Sequence, residues 1–147
     1  MISPFAILRT TLLAIAMSAG TLSLAAAETV SFKATLTGAS EVPPHNVPGT
    51  GTVEATLDTA TNKLHYKVVY SGLTGDASAA HFHGPAAVGA NAGVAVGLKG
   101  SLVSPVEGDS TLTPEQAADL LGGKWYFNVH TAANPGGELR GQMERSK

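Results

Sequence analysis

The chain divides into short stretches in which apolar and polar side chains alternate, the period-two signature of strands with one face against a core. In "TVSFKATLTG", Val30, Phe32, Ala34 and Leu36 alternate with Ser31, Lys33, Thr35 and Thr37. "TVEATLDTATNKLHYKVVYSGL" reads as a hairpin: Val53, Ala55 and Leu57 alternate on the way out, "DTATN" turns, and Leu64, Tyr66, Val68 and Tyr70 alternate on the return. "AAHFHG", "AGVAVGLKG", "KWYFNVHT" and "ELRGQM" are further strands, and "EVPPHNVPGTG" is a Pro- and Gly-rich connection. One stretch breaks the alternation. In "LTPEQAADLLGG", Thr113 suits an N-cap, Pro114 the first helical position and Gln116 the far end of a capping box, while Gly122 supplies a stop. That spacing predicts one short helix near residues 114–121. Short strands, tight turns and one small helix predict an all-β fold, an antiparallel β-sandwich or flattened barrel of immunoglobulin-like, Greek-key type.

The first residues lie outside this pattern. "MISPFAILRTTLLAIAMSAGTLSLAAAETV" holds one basic residue, Arg9, then an apolar run, then small residues at Ala25 and Ala27. Such a segment is expected to be a signal peptide, residues 1–27, cleaved after Ala27, which places the protein in the periplasm or outside the cell. Ser18, Gly20, Thr21 and Ser23 interrupt the run and argue against a membrane anchor. No second run is long enough to span a bilayer, so no membrane span is expected after cleavage. Residues 28–147 make one ordinary domain. The chain has 9 basic and 11 acidic side chains, and cleavage removes only Arg9 from that balance. A mildly acidic chain poor in aromatics is not built to hold nucleic acid. With no cysteine there is no disulfide, thiolate metal site or cysteine nucleophile. No G-x-S-x-G elbow, phosphate loop or dinucleotide fingerprint occurs, which removes the common hydrolase and nucleotide-enzyme readings.

"LTGASEVPP", "AAHFHGPA", "LTPEQAADLLGGKWYFNVHT" and "NPGGELRGQM", in this order, strongly resemble the CHRD domain. That family is named for chordin and also occurs as single-domain exported bacterial proteins. The resemblance runs from about Val30 to Met143. It implies little about activity. In chordin-type proteins the domain accompanies growth-factor-binding modules, which suggests an extracellular protein partner.

The chemistry that stands out is imidazole. Of the 5 histidines, His81 and His83 lie one residue apart in "HFH". On a strand, such residues share a face with Cα atoms roughly 6.5–7 Å apart, and Phe82 points the other way into the core. In "KWYFNVHT" the same alternation sets Trp125, Phe127 and Val129 inward and Tyr126, Asn128 and His130 outward. If the two strands are neighbours, His81, His83 and His130 converge on a metal ion, copper first and zinc as the alternative. "HFH" and "NVH" are similar in kind and order to the copper ligands of copper/zinc superoxide dismutase, itself a β-sandwich. Arg140 loosely resembles the arginine that steers the anionic substrate there. No histidine lies between His83 and His130, so the bridging ligand and zinc subsite have no counterpart.

Other readings stay open. The three histidines could instead be structural, bonding the backbone of the Gly-rich loops "HGPAAVGANAG" and "TAANPGG", or contact a partner. His65 beside Lys67 reads as a solvated residue; His45 is a surface residue or a fourth ligand. Glu138 and Arg140 share a strand face and could pair near His130, either bracing "NPGG" or orienting a ligand imidazole. Asn91 and Asn134 read as turn residues suited to left-handed backbone. Three functions are therefore expected in turn: an exported metal-binding protein for metal handling or redox defence, a non-enzymatic protein- or matrix-binding module, and a copper-only dismutase-like enzyme.

Overall fold

The structure is a computed structural model that describes residues 27–147. The signal-peptide reading falls on residues 1–27 and so, but for its last residue, lies outside the described residues. The strands are β1 (Thr29–Thr37), β2 (Thr50–Asp58), β3 (Lys63–Ser71), β4 (Ala77–His83), β5 (Val94–Gly97), β6 (Val106–Thr111), β7 (Tyr126–Thr131), β8 (Leu139–Gln142) and β9 (Glu144–Arg145). They form one antiparallel sheet in the order β5-β4-β7-β8-β1-β2-β3-β6, with β9 added beside β1. The expected all-β architecture with one short helix is what forms, and its two layers are halves of this single sheet. Tyr66 on β3 and Phe82 on β4 are far apart in strand order, yet their rings meet edge to face with centroids 5.5 Å apart. The sheet is therefore folded over on itself, with its apolar sides facing.

Alternation decides which side is inside. On β1, Phe32 and Leu36 are buried while Ser31, Lys33 and Thr35 are exposed, and Leu64, Tyr66, Val68 and Tyr70 do the same on β3. Phe82, Trp125, Phe127 and Val129 complete the core at 0% exposure. The turn between β2 and β3 is closed by Asp58, whose Oδ1 accepts from the backbone of Ala60 and Thr61, and by Asn62 at φ 56°. Asn62 is the one described non-glycine residue in the left-handed region; Asn91 and Asn134, expected there, are not.

The helix α1 (Pro114–Leu121) begins where the sequence places it. Thr113 accepts from the Gln116 backbone, and the Gln116 side chain accepts from the Thr113 backbone. Ala117 and Leu120 enter the core, and Gln116 Nε2 donates to Ala95 O on β5, which ties the helix to that strand. Among the described residues no helix is long and apolar enough to cross a membrane.

Candidate metal centre

Neighbouring strands bring the histidines together. β4 pairs antiparallel with β7, with Ala79 opposite His130, His81 opposite Asn128 and His83 opposite Tyr126. His130 is thus a diagonal neighbour of His81, a position from which long side chains reach one another. Ala79 contributes only a methyl group, which leaves room for the two rings. His81 Nδ1 lies 3.1 Å from His130 Nε2, and one ring nitrogen from each of His81, His83 and His130 lies within 4.8 Å of the others. Two nitrogens bound to one ion at about 2.0–2.1 Å sit roughly 3 Å apart, which is the His81–His130 spacing. His83 has to close in by about an ångström or more to complete a three-nitrogen set.

Surrounding carbonyls decide which nitrogens are available. His130 Nδ1–H donates to Pro135 O at 2.9 Å, so its Nε2 carries the lone pair. His83 Nδ1–H donates to Ala92 O at 3.0 Å. A backbone carbonyl behind the non-ligating nitrogen fixes ring and tautomer, as metal-ligating histidines require. The remaining nitrogen of His83, Nε2, faces Asn128 Oδ1 at 2.9 Å. A neutral imidazole has one N–H, yet both nitrogens of His83 face oxygens. Burial holds the His83 pKa below its ordinary value, against the opposing effect of its bonds to Ala92 and Asn128. As a neutral ring it leaves one of those contacts without a proton. Burial also lowers the His81 pKa, with help from the charges of His130 and His83. Depressed values leave imidazole lone pairs available to a metal near neutral pH.

One side of the cluster is a stack. The Tyr126 ring lies parallel to His83, 2° apart in plane with centroids 4.8 Å apart, and the Arg140 guanidinium carbon sits 3.5 Å above Tyr126. Arg140 is 2% exposed, and it donates to Asn91 Oδ1 and Ala90 O. It pins the 84–93 loop over Tyr126 and does not reach out to guide an incoming anion. Glu138 and Arg140 do not pair with each other. Glu138 accepts from the Thr74 backbone and hydroxyl, from Thr131 Oγ1 and from Asn134 Nδ2, and so braces the 131–138 turn. That turn carries Pro135 O, which holds His130. Glu138 is thus linked to His130 through that turn, and Arg140 to His83 through the Tyr126 ring. His45 stands outside the cluster, and His65 pairs with Asp109 at 3.2 Å on the solvated face of β3 and β6.

Sequence reasoning missed Glu41. It lies in the loop after β1, is 4% exposed, and its Oε1 is buried with no hydrogen-bond partner. Burial raises its pKa; nearby Arg140, the Val42 backbone and the Asn128 amide pull the other way. Glu41 and Arg140 also line an open cleft of about 730 Å³ with Lys33, Glu54, Val88 and Gln142. A lone glutamate in a Pro-rich loop carries no periodicity that would have singled it out. Asn128 and Tyr126 were placed on the correct face but given no role, because their partners come from loops whose path the sequence does not encode locally.

A family model described as the CHRD domain matches residues 32–143. Comparisons with curated proteins and with solved structures give no match.

Proposed function

This chain belongs to the CHRD domain family, and on that premise we propose that it is an exported protein that binds one transition-metal ion, copper before zinc, through His81, His83 and His130. The observation that carries the reading is the cluster itself: one ring nitrogen from each histidine within 4.8 Å of the others, with His83 and His130 each held by a backbone carbonyl on Nδ1. Ligation would use His83 Nε2, His130 Nε2 and His81 Nδ1, whose proton, donated to His130 Nε2 in the metal-free protein, would move to His81 Nε2. Imidazole donors with no thiolate or carboxylate among them suit copper and zinc. His81 and His130 are only partly buried, so a bound ion would keep an open coordination position toward solvent. Such a site suits metal handling or redox defence in the compartment to which residues 1–27 would direct the chain.

The test uses purified mature protein stripped with a chelator and titrated with Cu(II). About one equivalent is expected to bind, with nitrogen hyperfine structure in its EPR spectrum. His81→Ala combined with His83→Ala should abolish that signal; unchanged stoichiometry and affinity in the double variant exclude the site. Superoxide consumption above that of free copper would extend the reading to a copper-only dismutase. One observation favours a second reading, an interaction module with structural histidines: both His83 nitrogens already face oxygens of the protein. That reading predicts a protein that takes up no metal and whose histidine variants lose stability.

A further inference from the structure

Asn128 stands to His83 as His130 stands to His81. In the β4–β7 register His81 lies opposite Asn128 and His83 opposite Tyr126, so each histidine of β4 reaches the β7 residue diagonal to it. One diagonal closes at 3.1 Å, from His81 Nδ1 to His130 Nε2, and the next at 2.9 Å, from His83 Nε2 to Asn128 Oδ1. Donors bound side by side on one ion at about 2.0–2.1 Å lie roughly 3 Å apart, and both diagonals have that spacing. We propose that Asn128 is a fourth protein ligand of the metal site, binding the ion through Oδ1 beside the three imidazoles, with Glu41 holding its amide in the ligating orientation. The inference rests on the metal-binding reading above and deepens it, from three nitrogen donors to three nitrogens and one oxygen.

Neither atom of the second diagonal has a proton to give. Ala92 O takes His83 Nδ1–H, which leaves a lone pair on Nε2 of the neutral ring. The amide could offer an N–H only by turning over, and its surroundings oppose that. A Cβ added to Gly137 would lie 2.6 Å from Asn128 Nδ2 and 2.2 Å from Glu41 Oε1, so Nδ2 borders the carboxylate across the bare Cα of Gly137. Turned over, the amide would set its oxygen against a buried carboxylate oxygen that already lacks a partner. Oδ1 therefore meets Nε2 lone pair to lone pair, and at 3% exposure of Asn128 solvent does little to relieve the contact. A metal ion shared by the two atoms turns that repulsion into two bonds. Donor pairs at this spacing subtend roughly a right angle at the ion. Three imidazoles and an amide oxygen so arranged suit tetragonal Cu(II), with an axial position left for solvent.

The test reads the metal–oxygen bond itself. Mature protein labelled with ¹³C at the asparagine side-chain carbonyl and loaded with Cu(II) should show a resolved ¹³C coupling in its electron–nuclear double resonance spectrum, and Asn128→Leu should remove it. Asn128→Leu should also bind Cu(II) about 10–100-fold more weakly. It should bind Cu(I), which gains little from an amide oxygen, about as well as wild type, so the Cu(II)/Cu(I) potential rises. A residue that merely braced His83 would weaken both oxidation states alike, and that result overturns the proposal. Glu41→Leu should weaken Cu(II) binding in the wild-type background and have no further effect beside Asn128→Leu. Equal losses in both backgrounds would overturn the role given to Glu41 and leave only its charge. If Asn128→Leu does not fold, the ¹³C spectrum of wild type decides alone. If wild type takes up no copper, the metal-binding reading fails and this inference with it; if wild type binds copper without a ¹³C coupling, only this inference fails.

Discussion

Glu41 and Glu138 are both buried acids, and their surroundings drive them in opposite directions. Burial raises Glu41, and its Oε1 lacks a partner. Burial acts to raise Glu138 too, but hydrogen bonds from Thr131, Thr74 and Asn134 outweigh it and hold the group below its ordinary value of 4.5. A carboxyl whose folded pKa is depressed adds stability that is present in full above the ordinary value and is lost as pH falls through the folded one. Glu138→Gln should therefore destabilise the protein by about 1.5–3 kcal/mol at neutral pH, as for bonds to a charged group. The gap to wild type should close below pH 4.5. Denaturant titrations of both proteins at about pH 7 and about pH 3 measure it, and an equal gap at both would show that the charge contributes nothing. At this scale His81, His83 and His130 were legible because sidedness on a strand follows from counting by two. Glu41 was not, since its position comes from a loop folding back against β7.

Among the elements, α1 was the most legible because its start is written in adjacent residues. Thr113, Pro114 and Gln116 satisfy the first free N–H groups locally, whatever the rest of the chain does. Thr113→Ala should cost about 1 kcal/mol, visible as a lower midpoint in chemical denaturation, while Thr113→Ser should cost much less. No shift for the alanine variant would mean that core contacts of Ala117 and Leu120 alone hold the helix. The opposite case is β6, whose sequence "VEGDST" has little strand character of its own. It forms because β3 offers an open edge: His65 meets Asp109 and Lys67 meets Glu107 across the pair, the latter with a 3.1 Å ion pair. β9 likewise exists only as two residues laid beside Phe32 and Lys33. Strands made by their partners leave no periodic trace in their own residues.

For the molecule as a whole, the alternation predicted an all-β fold but could not give strand order. That β4 lies beside β7 depends on a connection that passes through β5, β6 and α1, and this pairing is what turns three outward histidines into one cluster. The cluster also joins parts that are otherwise separate. His83 holds the 84–93 loop through Ala92, His130 holds the 131–138 turn through Pro135, and both strands belong to the sheet that encloses the core. An ion bound there would bind the folded chain and not the unfolded one, so its binding free energy would add to stability. Copper at about a thousand times its dissociation constant should add roughly 4 kcal/mol. For a chain of this size that corresponds to a rise in Tm on the order of 10 °C. The rise should shrink below about pH 6, as protons compete for the imidazoles, and should vanish when His81 and His83 are both alanine. Calorimetric scans with and without Cu(II) at two pH values provide the measurement. A rise that survives in the double variant would place the stabilising ion elsewhere on the molecule and separate the histidine cluster from metal binding.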